Sequence, residues 1–238
     1  MSEVVLVTGS SSGIGRAVAA RFALDGASVV VNSSRSIAEG EEFARTLPDA
    51  LYVQGDVSVE ADAKKLVATA VEAFGGLDVV VNNAGATKRI PFPDLDAVDD
   101  ALWQQILGVN LLGPWYVSRA AMPELRKRHG AIVNVSSVAG LVAGGSSLPY
   151  AVSKAALNHL TRTLARALAP AVRVNAVAPG LVETPWTEGW DANDAIIART
   201  PLERAATPAD VADAVFFLAR NPFITGQVTV VDGGLTLT

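Results

Sequence analysis

"VVLVTGSSSGIGRAVAARF", residues 4–22, runs from a β-branched stretch through a glycine- and serine-rich turn into a helical pattern. The glycines fall at Gly9, Gly13 and Gly15, with Ser11 and Ser12 between them, a G-x-x-x-G-x-G spacing. Glycine lets such a turn tighten and lets backbone N–H groups approach an anion. A helix that begins near Ile14 then presents its positive end to that anion. No Gly-Lys-Ser/Thr follows, so the loop does not fit the Walker pattern for phosphate binding. The pattern predicts a strand, a pyrophosphate-binding loop and a helix, the first unit of a dinucleotide-binding fold. A merely tight strand-to-helix turn is the plainer alternative.

Working outward, the same alternation continues. Short runs at 28–32, 50–54, 77–82, 131–136, 172–178 and 227–231 read as strands apolar on both faces. Helix-length segments separate them, at about 14–25, 36–47, 59–74, 98–128, 150–168 and 208–219. Strands of that kind separated by helices predict a parallel sheet covered on both sides, doubly wound and seven-stranded. Gly26 and Gly75-Gly76 mark helix ends, and Thr207-Pro208 with Asp210 opens the last helix. No linker divides residues 1–238, which predicts a single α/β domain. The one break in rhythm is 181–207, rich in Pro, Asp and Thr and carrying Trp186 and Trp190. A long irregular insertion in a compact domain reads as a substrate lid.

Composition excludes several classes. The chain of 238 residues has no cysteine, so thiolate catalysis, disulfides and cysteine zinc sites are ruled out. Two histidines, His129 and His159, do not make a metal site, and none is expected. A net charge of −5 without a long basic run argues against nucleic acid as a partner. No signal peptide or membrane-length apolar stretch is seen, so a soluble cytoplasmic protein is expected.

Four strand ends should converge on one crevice. The second strand ends in Asn32, Ser33, Ser34 and Arg35, with no carboxylate to accept from a ribose 2′-hydroxyl. An arginine fork suits a 2′-phosphate, so NADP(H) is preferred and NAD(H) remains possible; Arg35 is otherwise a solvated residue before a helix. Asp56, followed by Val57, either accepts from the adenine amino group or caps the next helix. Asn82 and Asn83 offer amides at the fourth strand end, and Ala84-Gly85 leave room for a flat ligand. Asn110, a polar residue in the apolar "ILGVNLLGPW" (106–115), needs a partner if buried. Ser137 lies at the end of the fifth strand, with Ser136 as its competitor. Tyr150 and Lys154 lie one helical turn apart, about 6 Å along the axis.

Taken in order, "TGSSSGIG" (8–15), "NNAG" (82–85), Asn110, Ser137, "YAVSK" (150–154), "PG" (179–180) and "VDGG" (231–234) resemble the short-chain dehydrogenase/reductase family over essentially the whole chain. The resemblance implies hydride transfer between a ketone and a secondary alcohol, with Tyr150 as general acid or base. A phenol near pKa 10 needs lowering to work at neutral pH, and Lys154 would supply the charge that lowers it. Lys154 would also hold the nicotinamide ribose, Ser137 would bond the substrate oxygen, and Asn110 would hold a water linking Lys154 to solvent. Pro179, Gly180, Val182 and Thr184 would meet the nicotinamide, Thr184 at its carboxamide. Val138, Leu148, Trp186 and Trp190 suggest an apolar pocket for a small carbonyl or alcohol substrate. Alternatives are a 3-oxoacyl-[acyl-carrier-protein] reductase, with Lys88 and Arg89 near the mouth, a transient-oxidation epimerase, and a catalytically silent dinucleotide sensor. Family members are usually homotetramers, so a homotetramer (or homodimer) is expected. His129 reads as a helix-end cap and His159 as a packed or interface residue.

Overall fold

Alternation within the first strand sets the two layers of the molecule. The computed structural model describes residues 2–190 and 193–237. In β1 (Val4–Val7), Val5 and Val7 enter one core while Val4 and Leu6 enter the other. Successive strand side chains point to opposite faces, so a sheet covered on both sides needs unbroken apolar strands. β2 (Ser28–Ser33), β3 (Ala50–Gln54), β4 (Val79–Asn82), β5 (Ala131–Val135), β6 (Arg173–Pro179) and β7 (Val228–Val231) complete it. The order is β3-β2-β1-β4-β5-β6-β7, with every neighbour parallel. β1 lies between β2 and β4, with Val5 registered against Val29 on one side and Val79 on the other.

One face is covered by α1 (Gly13–Leu24), α2 (Ile37–Thr46) and α8 (Pro208–Arg220), which bury Val18, Phe22, Phe43 and Val215. The other carries α3 (Glu60–Phe74), α5 (Gly113–Arg128) and α6 (Leu148–Leu168), with Leu66, Val117, Leu125 and Ala165 inside. A small satellite core of Ile90, Leu102 and Ile106 seats α4 (Asp100–Leu107). No helix among the described residues is long and apolar enough to cross a membrane.

Two departures from the sequence reading matter. The segment 98–128 is not one regular helix: α4 passes into α5 through a π-helical turn, Gly108–Leu112. That turn holds Asn110, and such wide turns collect at functional sites. The segment 181–207 is not wholly irregular: it contains the short helix α7 (Asn193–Arg199), while Asp191 and Ala192 lie outside the described residues. His129 does end a helix, through its backbone. It adopts a left-handed conformation (φ 51°) and its N–H bonds the Leu125 carbonyl. His159 is exposed on α6.

Phe22 joins α1 to both the sheet and α8; it is fully buried and its ring lies 5.1 Å from that of Phe216. Phe22→Ala should therefore cost ~3–5 kcal/mol of unfolding free energy in urea titrations; a loss under ~1 kcal/mol would mean that the core does not rest on this contact.

Candidate functional site

At the carboxyl ends of β1 and β4 the sheet order reverses, and the loops leaving these strands diverge around a crevice. The cleft there has a volume of about 910 Å³. Its first wall is the glycine loop. Gly9 has φ 63°, and a Cβ added to it would sit 2.8 Å from the Ala84 Cα. The β1 and β4 loops thus touch through backbone, and any larger residue would force them apart. Gly13 (φ 54°) lies against the Thr184 side chain, and Gly15 lies beneath the loop, packed on Asn83. Ser12 caps α1 without a side-chain bond, leaving first-turn N–H groups for an anion. Gly9, Ser11, Ser12, Gly13 and Ile14 line the cleft, whereas Gly15 does not.

The asparagines brace the walls of the cleft, and Asn32 and Asn83 also line it. Asn32 Oδ1 accepts from the Gly9 N–H at 3.2 Å, and its Nδ2 donates to the Val53 and Gly55 carbonyls. Asn83 Nδ2 donates to the Thr8 and Gly9 carbonyls, 2.9 Å each. Asn82, expected to offer its amide to a ligand, is buried between β4, α5 and β5, donating to Ser118 Oγ and Asn134 Oδ1. Asp56 does not cap α3: its Oδ1 accepts from the Ser58 N–H and hydroxyl, closing a local turn. Asp56 and Val57 still line the cleft beyond the ends of β2 and β3, with Ser33, Ser34 and Arg35. No carboxylate occurs between Asn32 and Ser36.

At the other end four residues converge around one phenol. Ser137 ends the β5 extension and caps the short turn Val138–Gly140, accepting from the Ala139 N–H at 3.1 Å. Its hydroxyl is also the neighbour that draws the Tyr150 phenol downward in proton affinity. Ser136 faces the other way, donating to the Lys154 carbonyl at 3.3 Å, which separates the two serines. Lys154 is 3% exposed; its Nζ donates to the Val135 carbonyl at 2.8 Å and lies 5.7 Å from the Tyr150 ring centre. Asn110 is fully buried and well partnered. Its Oδ1 accepts from the Ala86 N–H (2.7 Å), and its Nδ2 donates to the Ala86 carbonyl (3.0 Å) and Ser153 Oγ (2.9 Å). Both amide hydrogens are spent, and the side chain ties the β4 loop to α6 beside Tyr150.

Pro179, Gly180, Val182 and Thr184 line the cleft after β6, and Val138, Trp186 and Trp190 line it on the side of the 181–207 segment. Leu148 does not: as the first residue of α6 it lies outside the cleft lining. Trp186 reaches to 3.5 Å from where a Gly85 Cβ would sit, and the Arg89 guanidinium lies 5.4 Å from the Trp190 ring centre. The segment after β6 therefore meets the β4 loop across the opening. Ile196, Arg199, Leu235 and Thr236 also line the cleft and were not foreseen. Ile196 and Arg199 lie three apart on a short helix, a readable signal; nothing local points the chain terminus back into the site.

A family model described as "Enoyl-(Acyl carrier protein) reductase" matches residues 9–236. The chain is 56% identical over 241 residues to the "Granaticin polyketide synthase putative ketoacyl reductase 2" of Streptomyces violaceoruber, covering 99% of this chain and 97% of the relative. It is 38% identical to the 3-oxoacyl-[acyl-carrier-protein] reductase FabG of Thermotoga maritima, covering 99% and 98%. A solved structure from Burkholderia xenovorans, described as a "putative short-chain dehydrogenase/reductase", superposes with a TM-score of 0.92 at 38% identity, covering 100% of this chain and 99% of that one.

The electrostatics of the cluster come from burial. Loss of water pushes the Tyr150 phenol up, against the smaller downward pull of the Ser137 hydrogen bond. The expected lowering by Lys154 is not produced by the protein groups alone. Burial also pulls the Lys154 ammonium down to about 8. A lysine lowered in the folded state costs stability while it must stay charged, and that cost fades as pH rises towards the unfolded value near 10.4. Without dinucleotide, unfolding free energy should therefore rise by roughly 2 kcal/mol between pH 7 and 9.5, and Lys154→Met should flatten that rise. An unchanged pH slope in the variant would show that Lys154 titrates normally.

Proposed function

The chain belongs to the short-chain dehydrogenase/reductase family, and on that footing we propose that it reduces a ketone to a secondary alcohol with NADPH, acting on a β-ketoacyl thioester. The observation that carries this reading is the convergence of Ser137 and Lys154 on Tyr150, in a cleft whose far end is the glycine loop. The loop fits a dinucleotide: the space at Gly9 is too small for a side chain, and the α1 N-terminus has no side-chain cap. The bound coenzyme supplies the hydride. Ser137 and Tyr150 together bind and orient the substrate oxygen, and Tyr150 gives it a proton through its hydroxyl. Lys154, held by the Val135 carbonyl, keeps positive charge beside that phenol and holds the ribose hydroxyls. Asn110 keeps the β4 loop and α6 in register, so the phenol stays aimed at the cleft.

Support for the thioester comes from the ketoacyl and acyl-carrier names of the relatives and from Arg89 beside Trp190, next in sequence to Lys88, where an acidic carrier would meet positive charge. Residues 181–207 act as the lid: Thr184 lies over Gly13, and Trp186 and Trp190 exclude water from the reacting centre. The protein works in the cytoplasm as a homotetramer, which would cover the exposed Leu112 and Val152 on the α5–α6 side and Val230 on the β7 edge.

Preference for NADPH rests on Arg35 and on the missing carboxylate at the end of β2. Tyr150→Phe should lower kcat by ~10²–10⁴-fold, while NADPH titrated by fluorescence binds nearly as before. Residual turnover near wild type would remove the acid from the mechanism. Arg35→Asp should move the ratio of kcat/KM for NADPH over NADH towards NADH by on the order of tenfold or more. A ratio that stays put would reject the phosphate assignment.

A further inference from the structure

Beyond the adenosine end of the cleft lies a second recess of about 390 Å³, sharing Ser34, Arg35 and Asp56 with it. Its wall also carries Lys65, on the second turn of α3, with Asp62 and Gln54. Among the described residues, neither Arg35 nor Lys65 has an ion pair or a side-chain hydrogen bond. The adjacent Lys64, by contrast, is paired with Glu60 at 2.6 Å. We infer that Lys65 is a second specificity-determining cation for the coenzyme, closing on the adenosine 2′-phosphate from the side opposite Arg35. This inference rests on the NADPH reading given above.

Charge balance is the first argument. Asp56 and Asp62 bring two negative charges to the recess, against the two positive charges of Arg35 and Lys65. With Arg35 as the sole cation the recess would carry a net negative charge, which disfavours a phosphate. Lys65 brings the recess to neutrality. The carboxylates are also partly spent on the chain: Asp62 Oδ2 accepts from the Asp56 N–H at 2.9 Å, and Asp56 Oδ1 accepts from Ser58. An anion entering here meets both cations with no protein partner to displace.

The second argument is that the cations are placed against a common strand. Ser33 Oγ bonds the Ser36 carbonyl and the Tyr52 hydroxyl, 2.9 Å each, and Gln54 Nε2 donates to the Ser34 carbonyl at 3.2 Å. Tyr52 and Gln54 both lie on β3, so the turn that carries Arg35 is held to that strand. Gly40 makes room for the Tyr52 ring, since a Cβ there would stand 2.3 Å from it. Lys65 is registered to the same strand through the bond from Asp56 to Asp62 just beyond the end of β3. A turn held this firmly loses little freedom on binding, which favours discrimination.

The test uses two fragments that differ by the phosphate itself, 2′,5′-ADP and 5′-AMP, titrated calorimetrically into the intact protein. Wild type should prefer 2′,5′-ADP. Lys65→Ala should weaken 2′,5′-ADP on the order of tenfold, the scale of one charge-assisted bond, and leave 5′-AMP unchanged. Lys64→Ala should change neither. If Arg35→Ala removes the preference while Lys65→Ala leaves it intact, the role of Lys65 is rejected and the NADPH reading stands. Equal weakening of both fragments by Lys65→Ala would also reject the role, by showing a general effect on the site. If wild type binds both fragments alike, the NADPH reading fails and this inference with it.

Discussion

An ammonium held almost wholly out of water is costly unless something nearby requires it. Lys154 is such a group: 3% exposed, with one hydrogen bond to the Val135 carbonyl and, among the described residues, no carboxylate partner. Burial lowers its proton affinity and leaves its remaining hydrogens to the cleft. The position is held from three sides: the α6 backbone bonded by Ser136, the end of β5, and the aromatic ring one turn before it. A phenol and an ammonium kept together out of water each have their proton affinity shifted toward the neutral form by burial.

Around that pair most of the polar side chains hold backbone. Asn32, Asn83 and Asn110 each satisfy carbonyl or N–H groups that loops of this shape leave without a partner. A glycine-rich loop needs such braces, since glycine brings freedom and no side chain of its own to pack. The result is a cleft lined largely by backbone and small residues, with Ser137, Tyr150 and Lys154 grouped at one end and Arg35 at the other. The contact of Gly9 with Ala84 is where the two halves of the sheet meet, and it sets the width of the floor.

Trp186, Trp190, Ile196 and Arg199 of the segment after β6 line the cleft on one side. Ties of that segment to the body of the protein at the opening include the Arg89 guanidinium, 5.4 Å from the Trp190 ring centre, and Trp186 beside Gly85. A cation–ring contact of this kind, partly solvated, is worth about 0.5–1 kcal/mol.

Much of the molecule is legible from residue order alone. Seven apolar strands, the glycine spacing and the Tyr150–Lys154 interval are local patterns, and local patterns fix which elements form and which faces they bury. Long-range pairing decided the rest. Whether Asn82 faces a ligand or the core depends on Ser118 and Asn134, which lie 36 and 52 residues away. That Leu148 misses the cleft while Leu235 joins it depends on the angle at which α6 enters and on the return of the C-terminal turn. The wide turn at Asn110 and the meeting of Lys65 and Arg35 on one recess likewise follow from packing between elements distant in the chain. Sequence determined the sheet, the order of its strands' chemistry and the reactive pair, because each is written within a few residues. Only the tertiary structure decided which polar groups face the ligand, because burial and partnership belong to neighbours in space.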